Sequence, residues 1–282
     1  MIIVRLAGGI GNQMFQYALG RRLSLERKTE LLLDASWYKE SADRSYALNH
    51  FRISEELVSY DDIRKTIDSP FVKITDLFTA YRRKKYIKER SFLFDAAVLS
   101  VGTHAYLDGY WQSPKYFEEI ADTLRKDFTL KEPLREEYQA VQQKISATNS
   151  VSLHIRRGDY LLAKHQNIYI PLPLEYYQQA ADFISNQAGA CTFFVFSDDI
   201  EWAKENLSLP YPIEYVSGKD IADYEELMLM AACAHNITAN SSFSWWGAWL
   251  NRNPEKIIVT PKRWFVDGRS EADLIPPSWI RL

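Results

Sequence analysis

Four residues able to hold charge or move a proton, His154, Arg156, Arg157 and Asp159, fall together in HIRRGDY (154–160), where the apolar run SVSLHI (150–155) ends. A guanidinium is planar and always charged, and its fork of N–H donors grips two oxygens of one phosphate, so it can hold a diphosphate leaving group where no metal ion is present. The carboxylate of Asp159 fits two roles: base toward an incoming hydroxyl, or orienting partner for Arg156, Arg157 or a loop N–H. A proton transfer late in the reaction, with no dedicated base, is a third option. Two plainer readings compete for the whole stretch. Gly and Asp end strands wherever a chain turns, with arginines as ordinary surface charge, and Arg157-Gly158-Asp159 is also an adhesion tripeptide.

Three more groups sit where apolar runs end. AGGIGN (7–12) follows IIVRL (2–6), Asp198 and Asp199 follow CTFFVFS (191–197), and Ser241 and Ser242 lie at the end of ITANS (237–241). Ligands of open α/β sheets bind beyond the carboxyl ends of the strands, near the point where strand order reverses. If the strands are parallel, all four groups face one cleft. The glycine loop, with Gly8, Gly9, Gly11 and Asn12, either brings backbone N–H groups to a phosphate at a helix start or makes a tight turn. It is not the dinucleotide fingerprint, because Met14 stands where the third glycine belongs. Ser241 and Ser242 suit phosphate contact or a plain N-cap. Trp245, Trp246 and Trp249 recur at helical spacing and read as core, whereas Phe243, nearer the strand end, is a candidate ligand contact. There is no Asp-x-Asp triplet, and the histidines at 50, 104, 154, 165 and 235 show no ligand spacing. No metal or cofactor is therefore expected, and the burden falls on Arg156 and Arg157.

The elements that would position these groups are those of an α/β protein. From residue 150 onward, short β-rich runs alternate with helical patterns at 174–187, 200–207, 222–236 and 242–250, the rhythm of βαβ units and a parallel sheet covered on both faces. In the 222–236 helix Asp223 and Glu226 are placed like a capping pair. The first half opens with a strand at 2–6, a helix from about 13 to 27 and a strand at 30–34. It then loses its rhythm over 35–100, before HAYLDGYW (104–111) and a helix from about 114 to 127. The basic run RRKKYIKER (82–90) is either a solvated face or a contact with anionic membrane. A polar, Pro133-bearing stretch at 131–150 reads as linker or bridging helix, which suggests two halves, 1–140 and 141–282.

Bulk composition narrows the class. The chain has 282 residues with 46% apolar and 25% charged, ordinary globular usage. A formal charge of −3 argues against a general nucleic-acid binder. Cys191 and Cys233 are too few for a disulfide framework and lie in apolar segments, where a thiol packs as a small hydrophobe. A cytoplasmic setting is expected, with membrane contact at most peripheral, since no run approaches the roughly 18 apolar residues of a spanning helix and the start MIIVRLAGGIGNQ lacks a signal-peptide pattern. That setting removes the adhesion reading.

Five stretches together resemble glycosyltransferase family 11, the bacterial α-1,2-fucosyltransferases: IVRLAGGIGNQMFQYALGRRL (3–23), LDGYWQSPKYF (107–117), VSLHIRRGDY (151–160), FFVFSDDIEWAKENL (193–207) and ITANSSFSWWGAWLN (237–251). The resemblance implies a GT-B-like α/β fold, two Rossmann-type parallel-sheet halves facing a central cleft, with residues 1–140 on the acceptor side and 141–282 binding the GDP-sugar. It implies inverting, metal-independent transfer of L-fucose from GDP-β-L-fucose to the 2-hydroxyl of a terminal β-galactoside, on a free or lipid-linked glycan. Under it Arg156 would bind the β-phosphate, His154 and Asp198 would sit at the guanosine end, and Ser241 and Ser242 with Gly11 and Asn12 would line the diphosphate. Arg157 and Phe243 complete the expected donor site. The rival readings are a GDP-fucose transferase of another linkage or acceptor, a non-catalytic GDP-sugar or glycan-binding module, and a dinucleotide-dependent oxidoreductase. The missing third glycine and the arginine pair count against the last.

Overall fold

The structure is a computed structural model and describes residues 1–41, 43–58, 63, 80–161, 168–218 and 220–282. The chain divides into two compact units, Met1–Glu132 with Ala272–Ile275, and Pro133–Glu271 with Pro276–Leu282. The boundary expected at 140/141 lies instead inside a helix (Glu136–Ala147), and the division falls just before it, at Pro133.

The first unit is built on β1 (Ile2–Arg5), β2 (Leu31–Asp34), β3 (Tyr86–Lys88) and β4 (Ala105–Asp108), paired in parallel in the order β2-β1-β4-β3. Helix α1 (Ile10–Arg27) connects β1 to β2, beginning at N-cap Gly9 and so three residues before the expected start. At Gly8 φ is +80°, which a glycine adopts without the penalty a Cβ would bring. A Cβ there would also lie 2.5 Å from Nδ2 of Asn12. Gly20 of α1 is required by packing: a Cβ would come within 2.3 Å of Val4 Cγ2 and 2.8 Å of Leu31 Cδ1, so the bare backbone lets the helix settle onto β1 and β2. The helix expected over 114–127 is three pieces, two 3₁₀ turns (Pro114–Tyr116 and Glu118–Ile120) followed by α2 (Ala121–Asp127). The basic run holds edge strand β3. Its Ile87 is buried and Lys88 exposed, and charge on an exposed edge discourages pairing with another chain. The returning residues 272–275 are tied in by Asp273, whose carboxylate accepts from the Phe94 N–H and pairs with Lys115, and whose carbonyl accepts from Ser113.

The second unit carries a parallel sheet of β5 (Ser150–Ile155), β6 (Thr192–Ser197), β7 (Ile213–Tyr215), β8 (His235–Ile237), β9 (Ile258–Thr260) and β10 (Ile280–Arg281), in the order β10-β9-β8-β5-β6-β7. All six residues of β5 are buried, as a central strand covered on both faces requires. Between the strands run α3 (Glu136–Ala147), α4 (Leu174–Ala188), α5 (Ile200–Asn206), α6 (Asp223–Ala232) and α7 (Ser242–Leu250). Two expectations shift here. Strand β8 is His235–Ile237 rather than 237–241, because the apolar helical pattern stops at Ala232 and the chain re-enters the sheet at once. The residue reaching back over the start of α6 is Glu225, which accepts from the Ala222 N–H at 3.4 Å, not Glu226. Glu225 also pairs with Arg135 at 2.6 Å, fixing the segment that leads into α3. Trp245 and Trp246 are wholly buried and Trp249 nearly so, with Trp279 5.4 Å from Trp245, a core cluster as the spacing suggested. Cys191 and Cys233 are free and buried, and burial pushes both thiols up from their ordinary range.

Gly20→Ala tests the helix packing. Alanine gains about 1 kcal/mol of helix propensity over glycine, but overpacking a filled core costs about 1–3 kcal/mol. With Val4 and Leu31 both buried in the sheet, the clash should win and the thermal unfolding midpoint should fall. A midpoint equal to or above that of the parent would refute the close approach.

Candidate functional site

Sheet pairing decides where the arginines go. β5 and β6 run parallel in register His154↔Phe196 and Ile155↔Ser197. The next residues of the two strands therefore leave the sheet abreast, Arg156 beside Asp198 and Arg157 beside Asp199. Both pairs close: Arg156 Nε lies 3.2 Å from Asp198 Oδ2 and Arg157 Nε 3.4 Å from Asp199 Oδ2. The other oxygen of Asp198 accepts the backbone N–H of Arg157 at 2.9 Å. Gly158 makes room, since a Cβ there would sit 3.0 Å from Asp198 Oδ2. The side chains of Arg156 and Asp198 are only 17% and 22% exposed, so water screens this pair less than a surface ion pair.

Aromatic rings complete the settings. Arg157 Cζ lies 4.2 Å from the centre of the Trp202 ring and Arg156 Cζ 5.8 Å from that of Tyr160, both within cation–π range. Tyr160 in turn donates its hydroxyl to the Asn240 carbonyl at 2.7 Å, tying the turn after β5 to the connection after β8. His154 is itself a β5 residue, 2% exposed, with its ring edge-on to Phe243 at 5.5 Å. Ser241 is the N-cap of α7, its hydroxyl accepting from the Phe243 N–H at 3.3 Å, and Ser242 opens that helix. The strand order turns at β5, which pairs with β6 on one side and β8 on the other, so these groups gather at the switch point where open α/β sheets bind ligands.

The second unit thus brings together His154, Arg156, Arg157, Asp198, Ser241, Ser242 and Phe243. Asp159 begins a short 3₁₀ turn (Asp159–Leu161), and its side chain lies outside the described residues, as does His165. Gly11 and Asn12 belong to the first unit, in the opening turn of α1, where Asn12 Oδ1 accepts from Gln112 at 2.8 Å. Among the described residues no three His, Cys, Asp or Glu side chains gather as a metal site.

Sequence reasoning missed Trp202, Tyr160 and Glu226. Only the fold brings Glu226 to the site. It is on α6, and burial, with Asp223 and Asp198 adding repulsion, pushes its carboxyl up to about 7 against the opposing pull of a Ser217 hydrogen bond and of Arg156.

The sequence profile of glycosyl transferase family 11 matches residues 1–282. The chain belongs to that family. It is 33% identical to the O-antigen biosynthesis glycosyltransferase WbnK of Escherichia coli, over 98% of this chain and 99% of the relative. It is 33% identical to an alpha-1,2-colitosyltransferase of Escherichia coli, over 100% and 99%. Human galactoside alpha-(1,2)-fucosyltransferase 1 is 30% identical over 51% of this chain and 42% of its own. Among solved structures, a variant of Arabidopsis thaliana FUT1 in complex with GDP superposes with a TM-score of 0.57 at 12% identity, covering 99% of this chain and 75% of that one. That likeness is one of fold. It agrees with the GT-B-like class and its two parallel-sheet α/β halves.

The raised carboxyl of Glu226 has a consequence for pH. A folded-state value of about 7 against an ordinary 4.5 means that the native protein holds this proton more tightly than the unfolded chain. Stability attributable to Glu226 is therefore lost as pH rises from about 4.5 to about 7. Glu226→Gln should be more stable than the parent at pH 8, by about 1–3 kcal/mol in denaturant unfolding, and the margin should vanish at pH 4.5. A margin independent of pH would contradict the burial of a protonated carboxyl.

Proposed function

We propose that the protein is a galactoside 2-α-L-fucosyltransferase, moving L-fucose with inversion from GDP-β-L-fucose to the 2-hydroxyl of a terminal β-galactoside. The observation that carries this reading is the anchored pair Arg156–Asp198 at the carboxyl edge of β5 and β6. In the displacement the acceptor oxygen bonds to the anomeric carbon, the bond from that carbon to the β-phosphate oxygen breaks, and the hydroxyl proton passes to Asp159 acting as base or, late in the reaction, to water. Negative charge grows on the GDP oxygens while the sugar ring gains positive character. A guanidinium fixed through Nε cannot swing with the substrate. Its orientation is set before the reaction, and donors preorganised toward developing charge are the largest usual electrostatic contribution to rate. Arg156 takes the β-phosphate in this scheme and Arg157, seated on Trp202, the adjoining donor contact.

The remaining donor groups follow from position. The N-terminal end of α7, with Ser241 and Ser242, favours an anion through its N–H groups and dipole. Gly11 and Asn12 offer the opening turn of α1 in the same capacity. His154 and Phe243 form an aromatic corner suited to the nucleoside, and Asp198, placed at the guanosine end by the family resemblance, is engaged here by Arg156 and the Arg157 N–H and so is proposed to act on the donor by orienting that pair. Asp159 is proposed as base toward the acceptor hydroxyl or as an orienting partner of the arginine pair. The arginines, not a divalent ion, neutralise the leaving diphosphate, and the reaction is proposed to need no cofactor. The unit that begins at Pro133 is proposed to bind the donor and the unit Met1–Glu132 the acceptor. The setting proposed is the cytoplasmic side of a membrane, contacted peripherally. Among the described residues no helix is long and apolar enough to cross one.

The names of the relatives favour transfer of a fucosyl or colitosyl group through an α-1,2 bond, which leaves two donors to separate, GDP-fucose and GDP-colitose. Purified protein offered each donor with a panel of β-galactosides should release GDP and form a 2-linked product with fucose. Release only with GDP-colitose would move the donor assignment, and release with neither would leave the binding-module reading. Activity should persist in EDTA, and full loss restored by Mn²⁺ would overturn the metal-free step. Arg156→Lys keeps the charge and removes the fork, so kcat should fall about 10²–10³-fold, the usual cost of one lost charge-stabilising donor, with thermal unfolding unchanged. Parent-like turnover would return Arg156 to surface charge. Asp198→Ala should weaken GDP binding measured by calorimetry, and equal affinity would remove Asp198 from the site.

A further inference from the structure

The first unit contains a cavity of ≈ 270 Å³ at the carboxyl ends of β3 and β4, lined by Tyr81, Glu89, Phe94, Ala96, Trp111 and Tyr116 among others. Its wall is built at some cost. Trp111 has φ +55°, rare for a residue with a Cβ, and its indole N–H is buried without a hydrogen-bond partner. A left-handed non-glycine backbone costs about 1–3 kcal/mol and tends to persist at functional sites. The strain is held by Glu89, which accepts the Tyr110 N–H at 2.7 Å through one carboxylate oxygen and the Trp111 N–H at 2.9 Å through the other. Gly109 allows the approach, as a Cβ there would come 2.3 Å from Glu89 Cβ. The same loop ends on Gln112, whose amide donates to Asn12.

The lining selects a ligand class. Trp111 and Tyr116 meet edge to face at 5.8 Å, and Phe94 and Tyr116 at 4.8 Å, giving a continuous aromatic wall. The charged groups of the lining are the carboxylates of Glu89 and Asp95 and the cations Lys88 and Arg90, and Glu89 has lone pairs to spare, since a carboxylate accepts about four hydrogen bonds and the loop uses two. A pyranose ring matches both features, with C–H faces for the rings and hydroxyl donors for the carboxylate. The volume is just below the ~300–1,000 Å³ of pockets for drug-sized ligands, which suits one sugar ring. We propose that this cavity is the subsite for one neutral pyranose of the glycan acceptor. The proposal rests on the glycosyl-transfer reading above for its substrate and adds the residues that hold it.

Ala96, exposed on the cavity wall, makes the test without removing any of these contacts. Ala96→Trp should raise the KM for lactose at least about tenfold, equivalent to about 1.4 kcal/mol, with GDP affinity and thermal unfolding unchanged. Ala96→Ser should behave as the parent. Ser91→Trp, filling from another part of the wall, serves as the second blocking variant should Ala96→Trp fail to fold. An unchanged lactose KM in a folded blocking variant overturns the proposal. Saturation-transfer NMR with lactose and the GDP-loaded protein separates the two readings. Lactose signals in the parent that vanish in the blocked variant support the cavity even if no transfer occurs with GDP-fucose, in which case the transfer reading alone fails. No lactose binding to the parent overturns the cavity assignment whatever the transfer assay gives.

Discussion

The register between β5 and β6 governs the donor side of this protein. Because side chains alternate along a strand, one residue of slippage would send every side chain of β5 to the opposite face of the sheet, and since all six are buried each would have to pack against the wrong layer. The core therefore fixes the pairing, and the pairing fixes that Arg156 and Arg157 emerge beside Asp198 and Asp199. A requirement of packing becomes an arrangement of charge. The orientation of Arg156 is inherited from Val151, Leu153 and Ile155 below it, which are among the most deeply buried residues of the second unit.

The two units solve a similar problem by similar means. In each, a loop leaving a parallel strand is held by a carboxylate from the neighbouring strand end that accepts backbone N–H groups: Asp198 for Arg157 in the second unit, Glu89 for Tyr110 and Trp111 in the first. In each, a glycine beside the carboxylate, Gly158 or Gly109, gives it room. At Glu89 burial raises the carboxyl above its ordinary range, and the two backbone hydrogen bonds oppose that rise. Each carboxylate also freezes the loop's dihedral angles, which a surface loop otherwise samples. The functional surface is thus irregular backbone held still by side chains, on a regular sheet.

Much of the second half was legible from its pattern. Apolar runs flanked by helical periodicity locate β5, β6, α5 and α7 closely, because each element is short, strongly patterned and bounded by Gly, Asp or Ser. The failures share a cause. Strand β8 lies earlier than the pattern suggests because ITANS looks as strand-like as HNI, and only the pairing of β8 with β5 and β9 chooses between them. Glu226 read as a cap because its sequence neighbours allow that role, while its environment comes from Ser217 and Asp198, neither of them close in sequence. Glu89 was absorbed into a basic run for the same reason: nothing local says that its carboxylate will meet the 109–111 loop. The stretch 35–100 carries no motif, and β3 within it exists through its pairing with β4 rather than through its own three residues.

The return of Ala272–Ile275 to the first unit bears on how the chain folds as it is made. Asp273 bonds to Phe94, Ser113 and Lys115, all of which leave the ribosome long before it does. Domains generally fold in order during synthesis, the N-terminal one first. Here the first unit can collapse early but must wait for its final piece until nearly the whole second unit has been translated. During that interval the backbone N–H of Phe94 and the hydroxyl of Ser113 lack their native acceptors. A ribosome-bound nascent chain halted before residue 272 therefore carries an N-terminal unit short of its native hydrogen bonds, so the two units reach their native bonding together rather than one after the other.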